Sequence, residues 1–215
     1  MQSLELYILR GELDYLENNP EEVRAVVNRA IYSGDQKEHK THPIQFVSES
    51  IHGLKISESL GLGMISLFIE LGAYVNGYGT WKEDSPLLAA IGLYQTEIAH
   101  FLIDKGADFA HVGYHGATAL HWAAWTGQDT LVEALLEFPV DIDVSDHDFG
   151  ATPLLYGIHG YFRGGEENKN NQVKCIKLLL DAGANPRHKD KEGNDAWSYV
   201  KGRDGDEVLE VLGER

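Results

Sequence analysis

The chain has 215 residues, 43% of them hydrophobic, enough to bury a core and to argue against disorder. Its 18 Lys and Arg stand against 34 Asp and Glu, and the resulting formal charge of −16 repels phosphate backbones and anionic headgroups, which argues against nucleic-acid and membrane partners. A single cysteine, Cys175, rules out an intramolecular disulfide and a Cys-built zinc site, and fits a reducing compartment.

The N-terminal stretch MQSLELYILRGELDYLENN lacks a basic leader and carries Glu5 in its apolar run, unlike a secretory signal, and no uncharged apolar run reaches the length of a spanning helix. The expectation is a cytoplasmic, monomeric protein. Residues 1–40 read as an irregular helical region that caps the N-terminal end of the fold.

From there a phrase recurs: Ser85-Pro86-Leu87, Thr118-Ala119-Leu120, Thr152-Pro153-Leu154 and Asp195-Ala196-Trp197, at steps of 33, 34 and 43 residues. A second phrase, Gly72-Ala73, Gly106-Ala107, Pro139-Val140 and Gly183-Ala184, steps by 34, 33 and 44 residues. Both markers lengthen at the last step, so the extra residues lie between them; the polar, glycine-rich stretch Gly160 to Asn171 is expected to be an exposed loop. A poorer copy begins at His42-Pro43-Ile44 and carries its own insertion around Ile51 to Leu60.

Between the markers the apolar spacing is helical. Ile98, Ala99, Leu102 and Ile103 share one face, as do Leu131, Val132, Leu135 and Leu136, and Cys175, Ile176, Leu179 and Leu180. Gly72, Gly106 and Gly183 stand where a left-handed residue ends a helix, Pro86 and Pro153 fit a first helical turn, and Thr118 and Thr152 fit N-caps. The unit is a turn, a helix, a return helix and a loop. The boundaries fall at about 41–84, 85–117, 118–151, 152–194 and a C-terminal cap over 195–215, in one continuous domain.

The run Gly116-Ala117-Thr118-Ala119-Leu120-His121-Trp122-Ala123-Ala124-Trp125-Thr126-Gly127 resembles the ankyrin phrase G-x-T-P-L-H-x-A-A-x-x-G, departing from it where Ala119 replaces proline. Gly150 to Leu154 and Leu178 to Asn185 are similar to two further stretches of that consensus. The resemblance implies an all-α ankyrin-repeat solenoid of stacked helix-turn-helix units with projecting hairpin-like loops. It also implies a module that binds another protein and has no chemistry of its own. His121 sits at the histidine of the family phrase, which implies a structural residue bonding between neighbouring loops.

Residues that vary from copy to copy on the loop and first-helix side are the candidates for specificity. They are Trp81, Lys82, Tyr114, His115, Trp125, His147, Phe149 and His159, an aromatic row suited to a partner with a basic and apolar patch. Trp122, two positions past Leu120, is expected in the core. No catalytic residue, metal or cofactor is assigned. His111, His115, His147 and His159 lack metal-ligand spacing, and Asp141, Asp143, Asp146 and Asp148 do not form a calcium loop and read as solvated turn acids. Cys175 reads as a packing residue. The competing readings are an enzyme site in the irregular N-terminal region, using Glu49, His52 or Glu58, and a structural protein without a dedicated partner.

Overall fold

The computed structural model describes residues 3–33, 39–79, 84–164 and 168–213, and these are predominantly helical. They fall into two compact units, the first ending at Asp108 and the second beginning at Phe109.

The first unit opens with three short helices, α1 (Leu4–Arg10), α2 (Leu13–Asn18) and α3 (Pro20–Arg24). A two-stranded antiparallel hairpin comes next, β1 (Ile31–Ser33) with β2 (His39–Thr41), in the register Ile31 to Thr41. Then come α4 (Pro43–His52), α5 (Glu58–Glu70), α6 (Pro86–Gly92) and α7 (Thr96–Asp104). α1 packs on α4 and α2 on α5, so the irregular N-terminal helices cover the first regular pair. Ile8, Leu16, Ile44, Val47, Met64, Ile65 and Phe68 form the core there, each at most 1% exposed. Gln95, at the start of α7, donates its side-chain amide to the Ser48 carbonyl at 2.7 Å, tying the second pair to the first.

The second unit contains α8 (Ala119–Thr126), α9 (Asp129–Leu136), α10 (Pro153–Arg163), α11 (Lys169–Asp181), α12 (Ala196–Val200) and α13 (Asp206–Leu212). First helices stack as α8, α10 and α12, and return helices as α9, α11 and α13. Close approach of α8 and α10 depends on small residues. A Cβ at Gly157 would lie 3.7 Å from that of Ala124, and one at Gly160 would overlap the Trp125 carbonyl. Gln172 fills the junction by donating to that same carbonyl at 2.6 Å.

The helix signals act as their chemistry requires. The Ser85 hydroxyl accepts from Leu88 N–H and that of Thr152 from Leu155 N–H, with Pro86 and Pro153 in the first turn. Thr118 and His121 form a reciprocal capping box. Gly72, Gly106 and Gly183 have φ of +96°, +84° and +100° just past their helices. The three apolar faces are buried, except that Leu136 and Leu180 are half-exposed.

One expectation fails. The stretch from Gly160 is not a loop at its two ends, because α10 continues through Arg163 and α11 already begins at Lys169. Residues 165–167 lie outside the described residues; on either side of them the added residues lengthen both helices, to 11 and 13 residues against 8 in each of α8 and α9. Phe162 and Tyr161 explain it: Tyr161 is buried, and the Arg203 guanidinium lies 5.0 Å from the centre of the Phe162 ring, so the extension has neighbours to pack on.

Candidate functional site

Three loops of the second unit share one design. In each a backbone N–H closes the turn on a carbonyl four or five residues on: Gly113 to Ala117, Asp146 to Ala151 and Asp190 to Asn194. Asp146 and Asp190 hold their loops from inside. The Asp146 carboxylate accepts from the N–H groups of Asp148, Phe149 and Ala151, and Asp190 from those of Glu192 and Asn194. Asp146 is therefore no solvated turn acid; it is 3% exposed. Asp143 also bonds, accepting from Asn185 N–H at 2.9 Å.

Adjacent loops are joined through their backbones. The His115 carbonyl accepts from His147 and Asp148 N–H at 3.1 and 3.2 Å, and the Phe149 carbonyl from Lys191 N–H at 2.8 Å. His115 achieves this with φ of +63°, a left-handed conformation that costs a non-glycine residue about 1 kcal/mol or more. Its ring Nδ1 lies 2.8 Å from Asp148 Oδ2, and the His147 ring reaches the other carboxylate oxygen at 3.4 Å. Both contacts hold the Asp148 carboxyl below its usual range.

Where these loops meet the first helices there is a cavity of about 570 Å³. Helical spacing puts Trp122 and Trp125 of α8, and Leu155, Tyr156 and His159 of α10, on the faces that line it, with Tyr199 from α12. The rings meet edge to face. Trp125 stands at 89° to His159 with centroids 5.0 Å apart and at 67° to Tyr156, and Trp122 stands at 83° to Tyr156. His159 also touches Tyr199, at 5.9 Å. Burial first, then the nearby Arg163 and Arg203 charges, push the His159 imidazole below its ordinary range, so it is a neutral ring at neutral pH. Burial also raises the Tyr156 phenol. From the loops, His115, Asp148, Phe149, Asp190, Lys191 and Glu192 complete the lining.

Four of the residues singled out in the sequence, His115, Trp125, Phe149 and His159, meet in this cavity. Tyr114 is 63% exposed beside it, edge-on to the His115 ring at 4.7 Å, and the His147 side chain points largely to solvent while its carbonyl accepts from the Lys191 ammonium. Trp81 and Lys82 lie outside the described residues. Trp122 is not a core residue: it is half-buried and lines the cavity. Variation between copies also misses Tyr156 and Tyr199. A signal for them exists, since Trp122, Tyr156 and Tyr199 each stand two positions after the recurring third residue of the repeat phrase, at Leu120, Leu154 and Trp197. An aromatic in that place in three successive copies marks a lined surface, whereas Ala89 holds it in the copy before.

His121 is 0% exposed and bridges loops as the resemblance implied. Cys175 is fully buried, and burial pushes its thiol up to about 12. Glu49 and His52 are exposed on α4 and Glu58 opens α5, in the other unit.

The architecture is that of a repeat protein whose helix pairs carry a shared loop-lined face. Family models for ankyrin repeats match residues 58–148, as three copies, and residues 149–191. The chain belongs to the ankyrin-repeat family. The crystal structure of an ankyrin repeat domain from Acinetobacter baumannii superposes with a TM-score of 0.77 over 97% of this chain and 95% of that one, at 23% identity, a likeness of fold. Among curated relatives, the B-cell lymphoma 3 protein homolog of Mus musculus is 36% identical over 90 residues, 42% of this chain and 18% of that protein. The palmitoyltransferase AKR1 of Lachancea kluyveri is 31% identical over 103 residues, 48% of this chain and 12% of that protein. The chain thus covers under a fifth of either relative. Ankyrin repeats are generally protein-interaction modules. Among the described residues, no helix is long and apolar enough to cross a membrane.

Proposed function

We propose that this chain is a non-catalytic binding module, an adaptor or inhibitor, that takes a protein partner on the concave loop and first-helix face of its second unit. The observation that carries this reading is the cavity itself. Aromatic and imidazole rings from three successive repeats converge on one open space, and Phe149, at its mouth, is left 57% exposed. A fold that needed these rings only for its core would close over them, because exposed aromatic area is costly and characteristic of interfaces. Tyr114 and His147 extend the surface beyond the rim, and the net charge of −16 favours a partner with basic as well as apolar patches. The module acts, on this reading, as a monomer in the cytoplasm.

The test is affinity capture from the source cells with wild type, with Trp125→Ala/Phe149→Ala, and with Glu133→Ala on the exposed side of α9. A partner retained by wild type and Glu133→Ala but lost from the double variant, with helical content unchanged, is the expected result. Equal retention by all three removes this face as the functional site.

A further inference from the structure

Resting on the reading above, we propose that the cavity of the second unit is a receptor for an arginine side chain presented by the partner. The walls argue for a cation. Ring faces carry negative potential, and here the Trp122, Trp125, Tyr156 and His159 rings meet at 67° to 89°, with Tyr199 tilted 44° to His159, so the walls are angled rather than a flat stack. The rim argues for the same sign. Asp148, Asp190 and Glu192 contribute three carboxylates to the lining against one ammonium, that of Lys191, which is turned onto the His147 carbonyl; the Arg163 and Arg203 charges that act on His159 stand outside the lining, Arg203 against the Phe162 ring.

These carboxylates are not equivalent. Asp190 is spent on its own loop and on the Tyr199 hydroxyl, which donates to its Oδ2 at 2.6 Å, so its part is to fix the Tyr199 ring. Asp148 and Glu192 belong to neighbouring loops and are exposed: the His115 and His147 rings meet one oxygen each of Asp148, and the Asn194 amide one of Glu192, but neither carboxylate is closed off from solvent. A guest that enters from solvent meets these two first and the rings behind them.

Guanidinium suits that arrangement better than ammonium. It is planar and weakly hydrated, so it gives up little on lying against an indole or phenol, and its five N–H donors can serve more than one carboxylate at once. A lysine ammonium is a strongly hydrated point charge, and a quaternary ammonium has no donor for either carboxylate. At about 570 Å³ the space also holds the apolar stem that an arginine carries behind its charge.

The test uses the full chain and four blocked pentapeptides, Gly-Ser-X-Ser-Gly, with X as arginine, citrulline, lysine or trimethyl-lysine, read by nuclear magnetic resonance titration of the Trp122 and Trp125 indole N–H signals. The arginine peptide is expected to bind at least tenfold more tightly than the isosteric but uncharged citrulline peptide, and more tightly than either lysine form. In Asp148→Asn/Glu192→Gln the preference for arginine over citrulline is expected to fall below threefold while the thermal midpoint holds; Glu192→Gln alone, far from the His115 contact, gives a partial loss and covers the case in which the double variant unfolds. Equal binding of arginine and citrulline, tighter binding of a lysine form, or no indole shift with any peptide overturns the proposal. A captured partner that is lost with Trp125→Ala/Phe149→Ala but held fully by Asp148→Asn/Glu192→Gln overturns it too, and leaves the protein-binding reading standing.

Discussion

His121 Nε2 lies 3.2 Å from the carbonyl oxygen of Ala151, joining the first helix of one repeat to the loop of the next. A carbonyl only accepts, so Nε2 carries the proton, and Nδ1 is left to accept from the Thr118 N–H and hydroxyl at 3.1 and 2.9 Å. Every polar atom of the ring is used in its neutral form.

That arrangement makes stability depend on pH. Burial lowers the folded imidazole to about 4, while in the unfolded chain it titrates near 6.5. Below 6.5 the unfolded state takes up a proton that the folded state refuses, so the stabilisation is complete above 6.5 and is lost as pH falls toward 4. Between pH 7 and pH 5 the loss amounts to about 2 kcal/mol. Urea unfolding of wild type and His121→Gln at the two pH values checks it: the gap between the proteins should shrink by about that amount at pH 5. A gap that does not change with pH would show that the ring titrates in the fold as it does in the unfolded chain, and a gap that widens at pH 5 that it is already charged there. His42, also lowered to about 4 by burial, titrates in both proteins and cancels from the comparison.

Gly116 and Gly183 separate two costs of replacing a left-handed glycine. Both have positive φ, +78° and +100°, but a Cβ at Gly116 would overlap the His147 backbone, whereas nothing lies within 4 Å of one at Gly183. Gly183→Ala is expected to cost about 1 kcal/mol, the backbone strain alone. Gly116→Ala should cost more than twice that, because the two loops must part as well. Chemical denaturation of both variants decides; equal losses would mean that the loops yield freely.

How much of this could be read from the chain depends on what each residue answers to. Thr118, Thr152, Pro86, Pro153 and the helix-ending glycines answer to their own backbone, and local rules place them correctly. The cavity residues answer to neighbours 30 or more positions away. Trp125 and His159 stand out because they vary between copies, but Trp122 lies beside the core residue Leu120, and its helical phase alone does not show that the neighbouring repeat leaves that face open. The run from Gly160 misleads for a related reason: glycines there signal a loop by composition, yet one of them permits α10 to press against the Trp125 carbonyl and Gln172. His115 and Tyr94 carry positive φ without being glycine, at +63° and +60°; no residue-type rule anticipates Tyr94, and the enrichment of histidine in that region does not single out His115 among ten histidines.

Tyr199→Phe tests the coupling between loop and cavity wall. The hydroxyl donates to Asp190 Oδ2 at 2.6 Å, and although burial raises that carboxyl, this bond and those from Asn194 and Glu192 bring it below its usual value. Removing the hydroxyl is expected to cost about 1 kcal/mol and to raise the Asp190 pKa. A depressed carboxyl stabilises the fold above its unfolded pKa and loses that contribution as pH falls through the folded value, so the variant's deficit should narrow in strong acid. Acid titration of Asp190 by nuclear magnetic resonance, with denaturation at neutral and low pH, reads both effects. An unmoved Asp190 would mean that the loop amides alone hold the carboxylate.

Cys175 offers a test of whether the return helices form one closed core. Its side chain is fully buried on α11 beside Ile176 and Leu179, and burial, reinforced by the Asp129 charge, pushes the thiol up to about 12. At pH 8 the folded protein therefore holds almost no thiolate, and a thiol reagent can react only after the site opens. Labelling is expected to be undetectable over hours in buffer and complete within minutes in denaturant, with a rate in intermediate denaturant that tracks the unfolding equilibrium. Substitutions give the matching energetic result. Cys175→Ala removes one sulfur and should cost about 1 kcal/mol, while Cys175→Ser, nearly isosteric, buries a hydroxyl among aliphatic groups and should cost more, about 2 kcal/mol. Rapid labelling of the native chain, or a serine variant as stable as wild type, would place Cys175 in a wet and accessible site and turn it from a packing residue into a candidate reactive one.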